Sequence, residues 1–154
     1  METPQPETEP VAVSNGIIFS GDMEGSEFVM ASGDEMDHFV TRIEDFNNMD
    51  VEAVWTHSAD TIAMYRPDGT VIPLTKEGLG EMFAATDSIE WGVEYAVPVE
   101  VEGTNTVKIL VDGYETLYFK DGTVASGKLY EVFTFEDGKI TEIEQWSAEF
   151  PQEM

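Results

Sequence analysis

Cysteine is absent from the 154-residue chain, and positively charged residues are few. Without cysteine there can be no disulfide, thiolate metal site or cysteine nucleophile. Seven lysines and arginines stand against 32 aspartates and glutamates, a formal net charge of −25, so nucleic acid and anionic membrane surfaces would be repelled. The charge suits either a well-solvated surface, as in a salty habitat, or attraction of a cationic ligand. No stretch spaces its acids like a calcium-binding loop.

Two further absences concern metals and membranes. His38 and His57 are the only histidines, and they form no H-E-x-x-H motif. We therefore expect no metal site and no cofactor. No apolar run approaches about 18 residues, the length that spans a bilayer. We expect no membrane-spanning segment.

The length allows one domain, preceded by a polar segment. Residues 1–10 contain three prolines and three glutamates without apolar periodicity. This composition predicts a disordered acidic tether over residues 1–25 and a single α+β domain over residues 26–154. Such a tether is typical of the stretch behind a removed signal or a lipid-anchored residue. It favours an extracytoplasmic bacterial location, periplasmic or lipid-anchored, over a cytoplasmic one.

Helical periodicity dominates the first half of that domain. Ser32 opens a capping-box pattern before the first helix, Asp50 is the expected N-cap of a short second helix, and Thr75 caps a third. A short strand over residues 61–66 precedes the Pro-Asp-Gly turn of residues 67–69. The first half of the domain is therefore predicted to contain three helices, with one strand between the second and the third.

Alternating polar and apolar residues dominate the second half. Long one-sided strands are predicted over residues 91–101, 107–120, 127–136 and 139–150, and Asp-Gly turns join the last three. Residues 27–31 either add one short strand or remain irregular. The order predicts a coiled antiparallel meander with one face for the helices to cover.

Four short motifs occur in a fixed order between residues 33 and 150. They are Phe46-Asn47-Asn48-Met49-Asp50-Val51-Glu52-Ala53, Ala59-Asp60-Thr61, Pro67-Asp68-Gly69 and Phe133-Thr134-Phe135-Glu136-Asp137-Gly138-Lys139-Ile140. With these motifs the chain resembles the nuclear transport factor 2-like superfamily, in particular its SnoaL-like and ketosteroid-isomerase-like branch. The resemblance implies a cystatin-like α+β fold: a cone-shaped, strongly curved antiparallel sheet packed against three N-terminal helices. It also implies a pocket inside the cone and a homodimer through the sheet.

Glu131 is a polar residue in an apolar strand phase, between Leu129 and Phe133. Burial would raise its pKa and keep it neutral, able to donate a hydrogen bond. In ketosteroid-isomerase-like proteins the matching position carries the acid that stabilises an oxyanion. Alternatively, Glu131 pairs with a buried arginine or reaches solvent at the mouth of the cone. The resemblance also turns Gln145 toward the cavity, and Phe133 shares the strand phase of Glu131.

The chain has two arginines, and both fall at places that bear on chemistry. Arg42 borders the buried stripe of the first helix, and Arg66 ends the first strand. The resemblance places a carboxylate base at or beside Arg66, and a guanidinium cannot act as a base at neutral pH. This difference argues against steroid-isomerase chemistry. The two arginines could bind an anion, or they could neutralise Glu131 and Asp60.

Five more residues are candidate ligand contacts: Trp55, His57, Met64, Tyr65 and Asp112. Asp112 could be a base at the pocket edge or part of a solvent-facing strand bulge, because a glycine follows it. His57 could transfer protons or be a satisfied core histidine. Trp55 could stack on a ligand or belong to the core, and Tyr65 would be a poor base.

Hypotheses from different classes of function follow. The first is a binding module that holds a small, partly apolar ligand in the cone, since no complete acid–base pair can be assembled from pocket-phase residues. The second is an enzyme of the isomerase, cyclase or hydrolase type. In that enzyme Glu131 acts as acid or base, and Arg42 or Arg66 stabilises negative charge. The third is a structural dimeric domain with a filled cone.

Overall fold

The computed structural model describes residue 4 and residues 15–149, and the elements below lie within that part of the chain. The helices are α1 (Glu35–Asn47), α2 (Val51–Trp55) and α3 (Lys76–Ala84). The strands are β1 (Gly16–Ile17), β2 (Glu27–Met30), β3 (Ser58–Tyr65), β4 (Val71–Thr75), β5 (Thr86–Val101), β6 (Thr106–Phe119), β7 (Val124–Glu136) and β8 (Lys139–Glu149). None of these helices combines the length and the apolar character needed to cross a membrane.

Two of the predicted helix caps are present. The side chain of Asp50 accepts a hydrogen bond from the Ala53 amide at 3.1 Å, and that of Thr75 accepts one from the Gly78 amide at 3.1 Å. The first helix begins later than the capping-box pattern indicates. Its N-cap is Asp34, so Ser32 lies outside the helix.

The eight strands form one sheet in the order β1-β2-β5-β6-β7-β8-β3-β4. Neighbouring strands are antiparallel except for β3 and β8, which run parallel. The four long strands predicted from alternation are confirmed, and β5 begins earlier than predicted. The sequence pattern did not predict β4, because Pro73 argues against a central strand. At the edge of the sheet, however, a missing amide costs no ladder hydrogen bond.

The predicted tether extends too far along the chain. Gly16 and Ile17 pair with β2, and β2 in turn pairs with the end of β5. The end of β5 thus gives this hairpin a sheet edge to join, and the hairpin is part of the folded domain. Residues 1–3 and 5–14 of the predicted tether lie outside the described residues.

A bulge and a pair of glycines give the sheet its curvature. The register between β5 and β6 shifts between Val93 and Tyr95, so Glu94 is an extra residue in β5. Such a bulge bends the strand and increases its twist. Beside it, Gly92 and Gly113 bring the two backbones close, and a Cβ at Gly113 would collide with the carbonyl oxygen of Gly92. The long strands therefore curl into a half-barrel, as the sequence predicts.

The core fills the space between the concave face of the half-barrel and the helices. Phe39 of α1 is fully buried. Its ring lies edge-on to Trp91, with centroids 5.8 Å apart, and 5.1 Å from the ring of Phe133. Phe46, near the end of α1, packs edge-on against both Trp91 and Phe83 of α3. These aromatic contacts attach α1 and α3 to the centre of the sheet.

Asn47 connects the end of α1 to β5. Its side-chain amide donates to the Trp91 carbonyl at 2.9 Å and accepts from the Trp91 amide at 2.7 Å. β2 pairs with β5 only at residues 99–101, so no strand within the described part of the chain lies beside the edge of β5 at Trp91. Asn47 thus supplies the donor and acceptor that a further strand would supply, satisfying buried backbone groups.

We predict that Asn47→Ala lowers the free energy of unfolding by about 2 kcal/mol, because the backbone amide and carbonyl of Trp91 lose their partners. Urea denaturation measures the effect. Asn48→Ala is the matched control, since Asn48 is exposed and lies just past the helix, and it should change stability by less than about 0.5 kcal/mol. Equal effects of the two substitutions would contradict the role of Asn47.

Candidate functional site

A cavity of about 480 Å³ lies on the concave side of the sheet, beside α1 and α3. Most of its wall is apolar and includes Met64, Leu79, Met82, Trp91, Leu117 and Phe133. Five polar side chains interrupt that wall: Arg42, Arg66, Glu115, Glu131 and Gln145. The cone is therefore open, which contradicts the hypothesis of a filled structural domain. Mostly apolar walls with a few convergent polar groups are typical of small-molecule sites.

Three of the polar side chains lie in a row across adjacent strands. Glu131 of β7 is directly opposite Gln145 of β8. In the parallel ladder between β8 and β3, Tyr65 is aligned with Glu144, so one residue further on Arg66 lies beside Gln145. All three side chains line the cavity. We call Glu131, Gln145 and Arg66 the polar row.

Glu131 is the most buried member of the polar row, with 5% of its surface exposed. Burial is the main cause that raises its pKa to about 8, and the nearby carboxyl of Glu115 adds to the shift. The hydrogen bond from Gln145 and the charge of Arg42 act in the opposite direction. Glu131 is therefore mostly neutral at pH 7, as the strand pattern predicts. Gln145 Nε2 donates to Glu131 Oε2 at 3.0 Å, which leaves Oε1 to carry the proton and donate it.

Glu115 is a site residue that the sequence reasoning missed. It lies on β6, lines the cavity, and burial raises its pKa. A signal was available, because Glu115 shares its strand phase with Leu117 and Val111. The cavity thus contains two carboxyl groups whose charged forms are disfavoured.

Arg42 enters the site from α1 and is 6% exposed. Its Nη1 donates to the Val54 carbonyl at 2.7 Å and lies 3.4 Å from Ser58 Oγ. The guanidinium carbon is 5.8 Å from the centre of the Phe133 ring. Burial lowers the pKa of Arg42 to about 10, and the carboxyls of Glu131 and Asp45 oppose that shift. Arg42 remains a buried cation at neutral pH.

Neither arginine neutralises an acid by direct contact. Among the described residues, no carboxylate oxygen lies within 4 Å of Arg42 or Arg66, so neither Glu131 nor Asp60 is ion-paired with them. The alternative in which Glu131 pairs with a buried arginine is therefore wrong, and so is the alternative in which it reaches solvent.

Six of the ten predicted site residues line the cavity: Arg42, Met64, Arg66, Glu131, Phe133 and Gln145. Their roles in binding or catalysis stay predictions. Tyr65 does not line it, because its side chain belongs to the opposite strand phase from Met64 and Arg66 and is exposed. Trp55 packs against the hydrophobic core from α2. Both were predicted as ligand contacts, and neither reaches this cavity.

Asp112 lies on the convex side of the sheet, and its prediction as a pocket residue is wrong. It pairs across the strands with Tyr95 and Tyr130, and its carboxylate lies 2.7 Å from Lys128 Nζ. The bulge predicted here exists on the neighbouring strand, at Glu94. Asp112 itself is buried rather than facing solvent.

His57 lines a second, smaller cavity of about 130 Å³, and only Arg42 among the cone's polar groups also borders it. The ring of His57 stacks on that of His38, with centroids 3.6 Å apart. Burial, and then His38, lowers the pKa of His57, so the neutral form of His57 is favoured at pH 7. Within the described residues, no group of three histidine or acidic side chains is placed to hold a metal ion.

Comparison with solved structures identifies the fold. An NTF2-like protein of unknown function from Burkholderia pseudomallei superposes with a TM-score of 0.55 and 16% identity, over 76% of this chain and 92% of that one. An uncharacterised cystatin-fold protein from Novosphingobium aromaticivorans gives 0.59 and 21%, over 74% and 98%. An M. tuberculosis epoxide hydrolase described as LEH-like gives 0.60 and 17%, over 75% and 83%.

The sequence itself matches no family model and no curated protein. At these identities the superpositions establish the fold alone. The chain therefore has the nuclear transport factor 2-like, or cystatin-like, fold, which confirms the fold predicted from the order of its motifs.

We predict that the raised pKa of Glu131 makes the fold less stable as pH rises. The unfolded chain loses this proton near pH 4.5, whereas the folded protein keeps it to about pH 8. Between these values the free energy of unfolding should fall by up to about 1.4 kcal/mol per pH unit. Urea denaturation at pH 5, 6, 7 and 8 should show a shallower fall for Glu131→Gln than for the wild type.

The control for this comparison is Glu136→Gln. Glu136 lies on the same strand but is exposed, so its substitution should leave the pH dependence of the wild type in place. If the Glu131→Gln and wild-type curves run parallel from pH 5 to 8, Glu131 does not hold its proton in the folded protein.

Proposed function

We propose that this protein binds a small, partly apolar molecule in the cone, and that neutral Glu131 donates a hydrogen bond to an acceptor on that molecule. The observation that carries the proposal is a buried carboxyl on the wall of a mostly apolar cavity of about 480 Å³. Gln145 fixes one oxygen of the carboxyl, so the other can meet a carbonyl or hydroxyl oxygen. The apolar walls would contribute most of the affinity through desolvation.

We predict that 4-phenylbutan-2-one binds about tenfold more tightly than butylbenzene at pH 6. The two compounds have similar apolar bodies, but only the ketone has an acceptor for the Glu131 proton, and one hydrogen bond of about 1.4 kcal/mol corresponds to tenfold. Quenching of tryptophan fluorescence can follow binding, because Trp91 lines the cavity. At pH 9.5, where the carboxyl is ionised, the preference for the ketone should vanish.

Glu131→Gln supplies the control, since its amide keeps a donor but does not titrate in this range. The ketone preference of this variant should be the same at pH 6 and pH 9.5. A wild-type preference that does not change with pH would contradict the proposed donor, even if both compounds bind.

A catalytic role is the second candidate, and the pair of carboxyls favours it. Glu115 and Glu131 both have raised pKa values, which suits acid–base chemistry, and Arg42 could stabilise developing negative charge. One structurally similar protein is described as an epoxide hydrolase. Conversion of styrene oxide to its diol above the buffer rate, lost in both Glu115→Gln and Glu131→Gln, would favour an enzyme of the hydrolase type. Conversion at the buffer rate would favour binding alone.

We also propose that two copies associate through the convex face of the sheet. A second row crosses the strands there, formed by Tyr95, Asp112, Tyr130 and Trp146 in register, and its three aromatic side chains are exposed. Asp112 is the one acid of this row, and Lys128 lies 2.7 Å from it. Lys128 thus offsets the charge of Asp112 where two such faces meet, whereas the net charge of −25 on the chain as a whole makes two copies repel.

We predict that Trp146→Glu separates the two copies, because it adds two like charges to an apolar interface. Light scattering should give twice the 17.1 kDa chain mass for the wild type and the single mass for the variant. Val40→Glu is the matched control. Val40 is 55% exposed and Trp146 53%, but Val40 lies on α1, so its variant should stay dimeric. A protein concentration of about 100 µM is well above the Kd of a stable dimer. If the wild type has the mass of one chain at that concentration, the proposed association is wrong.

A further inference from the structure

We infer that the ligand of the cone carries an anionic group, and that Arg66 binds this group at the mouth of the cavity. The inference rests on the proposed function, because it concerns the same ligand. A neutral oxygen of that ligand would accept the hydrogen bond from Glu131, and its anionic group would bind Arg66. It is carried by the placement of Arg66: a cation that lines an apolar cavity, is exposed to solvent, and has no carboxylate within ion-pairing distance among the described residues.

The turn after β3 holds the backbone of Arg66 in place. The Arg66 amide donates to the Thr70 carbonyl at 2.8 Å, and the Gly69 amide donates to the Arg66 carbonyl at 2.9 Å. The neighbouring acid in this turn, Asp68, is occupied by Thr70, whose amide and hydroxyl lie 2.9 and 2.6 Å from its Oδ1. The turn thus fixes where the Arg66 side chain starts. The carboxylate of Asp68 bonds directly to Thr70, and these hydrogen bonds, with a smaller contribution through space from the charge of Arg66, lower the pKa of Asp68.

The polar row sets the shape of the ligand. Glu131 and Arg66 are separated by two strand spacings of about 4.8 Å each, so their backbones lie about 10 Å apart. Both side chains point to the concave side, where curvature brings their tips closer together. Gln145 lies between them and already donates to Glu131. A molecule that fits has an apolar body, an oxygen acceptor for Glu131, and a carboxylate several bonds away for Arg66.

Arg66 is the cavity cation better placed for this contact. Arg42 is 6% exposed, and its Nη1 already bonds to the Val54 carbonyl and lies near Ser58 Oγ deep in the fold. A guanidinium at the surface of the cavity can instead bind a carboxylate through two parallel hydrogen bonds. The chain's net charge of −25 opposes the approach of anions, so selection must come from this local contact rather than from the long-range field. At 0.15 M salt that field is screened beyond about 8 Å.

Isothermal titration with 6-oxo-6-phenylhexanoate and with its methyl ester tests the inference. The two probes share the phenyl ketone and the chain, and only the acid is charged. At pH 6 and about 0.15 M salt, the wild type should bind the acid about tenfold more tightly than the ester. Arg66→Gln should remove this preference by weakening the acid alone. Lys120→Gln, which removes an exposed cation outside the cavity, should keep the preference of the wild type.

The outcomes separate this inference from the proposed function. If the wild type binds the ester at least as tightly as the acid, the Arg66 inference is wrong and the cavity is still a binding site. The Arg66 inference is also wrong if Arg66→Gln keeps the tenfold preference. If neither probe binds the wild type at millimolar concentration, the proposed function fails, and the inference fails with it.

Discussion

Desolvation of the Glu131 carboxyl is the constraint on which the site depends. The curled sheet and α1 enclose this group so that 5% of it remains exposed, and the cost of ionising it there raises its pKa to about 8. No ion pair within the described residues relieves that cost. The nearby Gln145 donates one hydrogen bond, and Arg42 acts through space while its own hydrogen bonds go elsewhere. The Glu131 carboxyl is therefore neutral and faces a mostly apolar cavity, where it can donate a hydrogen bond but carries no charge.

The alternation of side chains along the strands gives the two faces of the sheet different properties. On the concave side, Glu131 and Gln145 form the polar row with Arg66 and line the cavity. One residue along each strand, Tyr130 and Trp146 form an exposed aromatic row on the convex side. A one-residue change of register would exchange the two faces. The bulge at Glu94 shifts the register between β5 and β6, and the backbones of these strands approach closely at Gly92 and Gly113.

The sequence predicts the long strands, the caps at Asp50 and Thr75 and the cone because these depend on local patterns: alternation, Asp-Gly turns and side chains that cap their own helix. The burial of Glu131 was also predicted from a local pattern, because Glu131 is a polar residue in the apolar phase of its strand. Asp112 was misplaced because the sequence does not tell which phase of its strand faces the pocket, and the bulge that the neighbouring glycine indicates lies on the adjacent strand. Glu115 was missed because its strand phase mixes apolar residues with Gly113. The hydrogen bonds of Asn47 to β5 could not be predicted, since its partner is the backbone of a strand 44 residues away.

The protonation state of Glu131 is the property whose measurement tests the site most directly. Carbon-13 NMR of protein labelled at the glutamate side-chain carboxyl, with Glu131→Gln to assign the resonance, can follow this group from pH 4 to pH 10. We expect a titration midpoint near pH 8 for Glu131. A midpoint near 4.5, the ordinary value for a glutamate, would show that the carboxyl is charged at neutral pH and would contradict the neutral donor on which the proposed function rests.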